Sequence, residues 1–417
     1  MKLLWLCNSV PAAVQSHIYG KPVGGVNWVD HVLSGLRQHG CEVRVLCRGR
    51  DAVGTIDETC SYRCFGEDPA HIYQSDLEKL FRVELRTFKP DVIHSWGTEY
   101  AHTHAMVNAA EMEGMLQKMV ASIQGLCCVY TQHYSEGVPH AVQRRSTFRD
   151  FVRRDNILQQ QKKYALRGEH EIAVLKKIHH VIGRTDWDRA CVSQINPNAA
   201  YHFCNETLRE TFYQGGWAYE NCKKHRIFAS SCAYPIKGFH RLLEAFAIVL
   251  EKYPDATLAV PGRDFRKVDT LKKRLRENGY DRYLRSLVRR YHLEDKVEIL
   301  GGLSAEQMKA QYLQANVFVL PSSVENSPNS LGEAMLLGVP CVASDVGGVS
   351  TMMRHGQEGF IYQATAPYML AYYMDRVFSM EEQVQTLAQA AAAHACITHD
   401  PQKNLTDLLG IYEILAK

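Results

Sequence analysis

Residues 318–348 read FVLPSSVENSPNSLGEAMLLGVPCVASDVGG. An apolar run over 317–320 leads into a polar loop that holds Glu325. Pro328 sets the approach to a helix of small and apolar residues over 330–337, with Asn329 or Ser330 as the expected cap and Glu333 in the first turn. Gly338 ends that helix, 339–343 reads as a second buried strand, and Gly347–Gly348 as a turn. Neither strand alternates polar with apolar residues, which predicts a parallel sheet covered on both faces.

The same alternation extends in both directions. Upstream, 3–7, 42–47, 91–94, 120–123 and 181–182 read as strands, with helical spacing over 26–39 and 73–88 between them. After a polar stretch near 196–222 the pattern restarts. Strands are expected at 225–230, 256–260 and 297–300, with helices at 238–252 and 305–314. A chain of 417 residues is too long for one ordinary domain and suits two α/β domains. Ligands of open α/β sheets lie outside the carboxyl ends of the strands, so two such sheets facing each other would hold theirs in the cleft between them.

Composition narrows the partners. With 48 basic and 45 acidic side chains the net charge is +3, which leaves no global demand for nucleic acid. The 13 cysteines are scattered, several inside apolar runs, and Cys60 with Cys64 has no second pair at zinc-finger spacing. This usage fits reduced thiols in the cytoplasm. The opening MKLLWLCNSV is too short for a signal core and reads as a first strand. One local exception to the even charge is 144–167, where eight Arg and Lys face Asp150 and Asp155, a net of +6. It reads as a solvated helical face or as one attracted to an anionic membrane surface.

The 318–348 segment suits a nucleoside diphosphate sugar. Free N–H groups at a helix start favour phosphate oxygens. An ionised carboxylate accepts two hydrogen bonds, so one glutamate can hold sugar hydroxyls and the other a ribose diol. A second motif, YPIKGF over 234–239, places Lys237 beside Gly238 at a helix start, where the amine can reach a phosphate. Gly24 and Gly25 form a pair in the loop after the first strand and permit close backbone approach to phosphate or acceptor.

On these residues the chain resembles the retaining GT-B glycosyltransferases of glycosyltransferase family 4. The spacing of Glu325 and Glu333 matches that family's E-x7-E signature, and GVPCVASDVGG its continuation. The opening GGVNWVDHVLSGLRQHGCEV is also similar, and HSWGTEY, IGRTDWD and ENSPNS look most like bacterial capsule and exopolysaccharide transferases. The resemblance implies a GT-B fold of two Rossmann-like domains with parallel sheets facing across a cleft. An acceptor-binding domain would span 1–205, a nucleotide-sugar-binding domain 206–398, and a last helix within 399–417 would return to the first domain. It implies Glu325 against the donor sugar, Glu333 against the ribose, and backbone N–H groups of Asn329, Ser330 and Leu331 against the diphosphate. Lys237 would neutralise the leaving group. The acceptor would be a carbohydrate or lipid-linked sugar, and neither metal nor other cofactor is implied.

Two departures stand out. The family often carries an arginine five or six residues before the lysine, where this chain has Ser231 and Cys232; Arg263 or Arg184 is the expected substitute. Many relatives carry a histidine where this chain has Gln124, which hydrogen-bonds but exchanges no proton at neutral pH; His133 or His94 would have to approach instead. Asp186 and Asp188 form a D-x-D that elsewhere grips metal, but after Thr185 they fit an acidic first helical turn. Two rivals remain from other classes: a sugar-nucleotide epimerase on the same fold, and a non-catalytic sugar-binding assembly partner.

Overall fold

The computed structural model describes residues 1–20, 28–66 and 69–417; Gly24 and Gly25 lie outside them. Contacts divide the chain into two compact units. The first is Met1–Val129 with Lys163–Glu210 and Thr398–Lys417, and the second is Tyr130–Lys162 with Thr211–Ile397. Residues Tyr130–Lys162, expected in the N-terminal domain, therefore cluster with the second unit. Among the described residues no helix is long and apolar enough to cross a membrane.

The first unit is built on eight strands: β1 (Lys2–Cys7), β2 (Glu42–Cys47), β3 (Gly49–Asp57), β4 (Cys60–Gly66), β5 (Val92–Trp96), β6 (Met119–Ser122), β7 (His180–Gly183) and β8 (Ala200–Phe203). They lie in the order β3-β4-β2-β1-β5-β6-β7-β8. All pairs are parallel except β3 against β4, an edge hairpin absent from the sequence expectation. Periodicity hid it because β3 alternates half-buried with exposed residues, as an edge strand does. The central strands β1 and β5 are buried almost throughout, as the unbroken apolar runs predict. The last helix, Pro401–Leu415, completes this unit's core: Leu408, Ile411 and Tyr412 pack with Trp5, Val43 and Val92. Tyr412 Oη also accepts from Trp5 Nε1 at 3.2 Å.

The second unit holds β9 (Arg226–Phe228), β10 (Thr257–Val260), β11 (Val297–Ile299), β12 (Val317–Leu320), β13 (Cys341–Ser344) and β14 (Phe360–Tyr362). Their order is β11-β10-β9-β12-β13-β14, all parallel. The chain runs outward from β9 in one direction and then outward from β12 in the other. Strand order therefore reverses between β9 and β12, the position where open α/β sheets bind their ligands. YPIKGF and the Glu325 loop follow these two strands and meet at that reversal.

The segment 144–167 is not one helical face. It is broken into helices His140–Arg144, Phe148–Arg153 and the start of Ile157–Lys177. Arg149 pairs with Asp150 and Asp155, each at 3.2 Å. Arg167 turns inward within the first unit, where Nε donates to the Glu99 carbonyl at 2.6 Å and the guanidinium lies over the Tyr100 and Tyr164 rings. The charge in this segment is thus partly spent on internal pairs.

Candidate active site

Lys237 ends a short 3-10 turn, Pro235–Lys237, directly after the loop that leaves β9. Gly238 follows at φ 65°, and a Cβ there would stand 1.8 Å from the Pro321 carbonyl oxygen. Only glycine fits, because the backbones of the two loops touch at this point. The contact brings Lys237 to Glu325: Nζ and Oε1 are 2.6 Å apart, and Ser322 Oγ donates to the same oxygen at 2.7 Å. Glu325 is buried while Lys237 remains about one-third exposed, so the carboxylate is fixed and the amine faces outward. On the far side Gly347, at φ 53°, closes against the Glu325 carbonyl, where a Cβ would come within 1.7 Å of the oxygen. The Gly348 N–H donates to that carbonyl at 3.1 Å.

The helix expected at 330–337 spans Asn329–Leu336, and Pro328 occupies its N-cap with no side-chain cap bond. Asn329 and Ser330 are thus inside the helix and neither caps it. Leu331 differs from expectation as well, since its N–H already donates to the Pro328 carbonyl at 2.9 Å. Among the described residues the N–H groups of Asn329 and Ser330 have no acceptor, which leaves two donors at the positive end of the helix. The helix begins one residue earlier than expected, so Glu333 falls just past its first turn, and it is buried, 3% exposed.

Sequence reasoning missed what the Tyr130–Lys162 segment contributes. Tyr130 Oη accepts from the Asn326 N–H at 3.0 Å, next to Glu325. Gly137 abuts His240 and Arg241 at the start of helix Phe239–Lys252. Glu136 pairs with Arg241 at 3.3 Å, and its carbonyl meets His240 Nε2 at 3.2 Å. Burial drives His240 down to about 3, so it stays neutral beside that carbonyl. His133 lies on this segment too, but its Nδ1 is engaged by Glu136 at 3.0 Å. A tyrosine in a helix reads as packing, and no periodicity shows which unit it will join.

The proposed substitutes for the family arginine are committed elsewhere. Arg263 pairs with Asp281, whose carboxyl burial pushes upward, and it lines a cavity of about 400 Å³ with Phe265, Lys267 and Arg276. Arg184 belongs to the first unit, buried against Glu206. Gln124, at the end of β6, donates to the same Glu206 at 2.6 Å. His94 is an interior residue held between Tyr412 Oη at 2.6 Å and Ser122 Oγ at 2.8 Å. Burial lowers it to about 3, so it is neutral and unsuited to proton transfer near pH 7. Asp188 is consumed by a capping box with Thr185 and accepts the Arg184 N–H at 3.1 Å.

The first unit's own switch point, between β1 and β5, carries carboxylates. Asn8 Nδ2 donates to Glu99 Oε1 at 3.1 Å, and His102 Nε2 meets Asn8 Oδ1 at 2.9 Å. Behind them Glu171 accepts from Thr98 Oγ1 and the Cys128 N–H at 2.8 and 2.9 Å, yet burial still raises it to about 7.

Against this geometry, residues 220–394 match the family model described as glycosyl transferases group 1. The second unit carries a group 1 glycosyltransferase domain. Lys237, Glu325 and Glu333 all lie inside it. The chain is 30% identical over 175 residues to the putative glycosyltransferase YtcC of Bacillus subtilis, covering 41% of this chain and 40% of YtcC. It is 30% identical over 127 residues to the putative colanic acid biosynthesis glycosyltransferase WcaL of Salmonella typhimurium, covering 29% and 27%. It thus spans less than half the length of these curated relatives. The fold likeness is wider. Anabaena Alr3699/HepE, solved in complex with UDP, matches with a TM-score of 0.68 at 16% identity, over 99% of this chain and 100% of that one. The group 1 glycosyltransferase domain therefore sits in a chain of GT-B fold.

Proposed function

We propose that the chain is a retaining glycosyltransferase that moves a sugar from a nucleoside diphosphate sugar to an acceptor hydroxyl, in the synthesis of a bacterial surface polysaccharide or glycolipid. The observation that carries this reading is the Lys237–Glu325 pair at the switch point of the group 1 domain, beside two free helix N–H groups. Glu325 would hold hydroxyls of the donor sugar and Glu333 the ribose. The N–H groups of Asn329 and Ser330, with Lys237, would take the diphosphate. When donor binds, Lys237 would share its charge between Glu325 and the phosphate; as the bond breaks, the added phosphate charge draws it further. The acceptor oxygen bonds to the anomeric carbon from the face the phosphate leaves. The acceptor proton passes to the departing phosphate oxygen.

The first unit would receive the acceptor, a carbohydrate or lipid-linked sugar, with Gln124 held in place by Glu206. The relatives named for polysaccharide work and the HepE complex with UDP support these classes. No step of this reading uses a metal or another cofactor. The exposed basic residues of 144–154 would draw the enzyme to an anionic membrane where a lipid-linked acceptor resides. A thermal-shift panel of UDP-, GDP- and ADP-sugars, followed by release of nucleoside diphosphate with and without acceptor, tests the reading. An epimerase would release none on its main route, and a sugar-binding partner would turn nothing over.

A further inference from the structure

Helix Phe148–Arg153 is folded inside out for a protein in water. Its apolar residues Phe148, Phe151 and Val152 share one face at i, i+3 and i+4, and they are 61%, 78% and 63% exposed. Its acid, Asp150, is wholly buried. The inversion is built in. Asp150 closes a capping box with Thr147 and accepts the Gly279 N–H at 2.8 Å, and Thr147 Oγ1 donates to the Glu277 carbonyl at 2.7 Å. These bonds hold the polar side inward and aim the phenylalanines out.

The neighbouring helix, Leu271–Arg276, lies next to it and is exposed along its whole length. Leu271 and Leu275, one turn apart, are 73% and 41% exposed. Around this apolar centre stand the exposed cations Arg144, Arg145, Arg153, Arg154, Lys272 and Arg274. Among the described residues none of the six has a carboxylate partner. The nearby acids are already taken: Asp155 by Arg149, Asp269 by Lys273, and Glu277 by Arg282 and Arg285.

We propose that these two helices form a membrane-docking surface of the second unit, which seats Phe148, Phe151, Val152 and Leu271 in the headgroup region of an anionic bilayer. Apolar side chains ringed by unpaired cations match a surface that is negative outside and hydrocarbon beneath. Water leaves the apolar face costly to expose; an anionic bilayer takes up that face and adds attraction to the cations. Attraction of the basic segment 144–167 to a membrane surface needs charge alone. The geometry adds insertion, and it recruits residues more than a hundred positions away in sequence.

Docking is measured without donor or acceptor, so its failure and that of the glycosyl-transfer reading are separate. The probe is a vesicle of about one-third phosphatidylglycerol in phosphatidylcholine, with pure phosphatidylcholine as control. The protein is expected to sediment with the anionic vesicles at low salt. Phe148→Ser with Phe151→Ser, and separately Arg153→Glu with Arg154→Glu, should each lower partitioning about tenfold or more with an unchanged melting curve. A Phe151→Trp variant should shift its emission to the blue on binding. No sedimentation at low salt overturns the proposal, as does binding indifferent to the serine pair. It also falls if light scattering shows a dimer that Phe151→Ser dissociates, for the face would then belong to a second copy.

Discussion

The two units share a strand order in their parallel cores and carry different side chains where that order reverses. In each, strand order reverses next to the strand that begins the unit's parallel core, and polar loops gather at the reversal. In the group 1 domain those loops bring a lysine about one-third exposed, the buried glutamate it pairs with, and two free N–H groups, donors that can meet an anion. In the first unit they bring Glu99 and Asn8 with Glu171 behind them, a set of carboxylates and an amide with no cation in these contacts. A Rossmann-like frame thus supplies a position, and side chains decide what that position takes.

The largest effect expected is on the first unit's Gln124–Glu206–Arg184 chain. Glu206→Ala leaves Arg184 buried without its carboxylate and Gln124 without its acceptor, and should cost about 3–5 kcal/mol in chemical denaturation. A change under about 1 kcal/mol would show that the chain is wetter than its burial indicates. In the second unit the expected loss is kinetic. Lys237→Ala and Glu325→Gln should each cut donor turnover about a hundredfold, roughly 2.7 kcal/mol, while the protein remains folded. Near-normal rates in both would remove the anion-binding side of the contrast.

A smaller effect tests burial at Glu171. Its carboxyl is raised from 4.5 to about 7 by desolvation, so the folded chain holds that proton more tightly than the unfolded chain. The contribution is therefore most favourable below the unfolded value and falls as pH rises towards 7, beyond which both states are ionised. Between about pH 5 and about pH 8 the protein should lose about 1–3 kcal/mol that Glu171→Gln does not lose. Parallel pH profiles for the two proteins would place Glu171 in contact with water. The smallest effect should come from EDTA, which is expected to leave turnover nearly unchanged; abolished activity would return attention to Asp186.

What could be read from residues alone was whatever is local. The second sheet's core strands, the loop with Glu325 and the lysine turn are written in runs of adjacent residues, because strand burial, proline and glycine act within a few positions. The spacing identifies Glu333 but starts its helix one residue late, since that start depends on Pro328 taking the cap. The edge hairpin of β3 and β4 escaped because half-exposed strands carry weak periodicity.

Tertiary structure alone decided the pairings. Arg263 meets Asp281, Arg184 meets Glu206 and His94 is locked between Ser122 and Tyr412, each across sequence separations that no local pattern encodes. It also assigned Tyr130–Lys162 to the second unit, putting Tyr130 on Asn326 and turning the phenylalanines of Phe148–Arg153 outward. The physical reason is common to all. A charge or an apolar face has a local identity, but its energy depends on what packing places within a few ångströms of it, and that is settled only when distant segments meet.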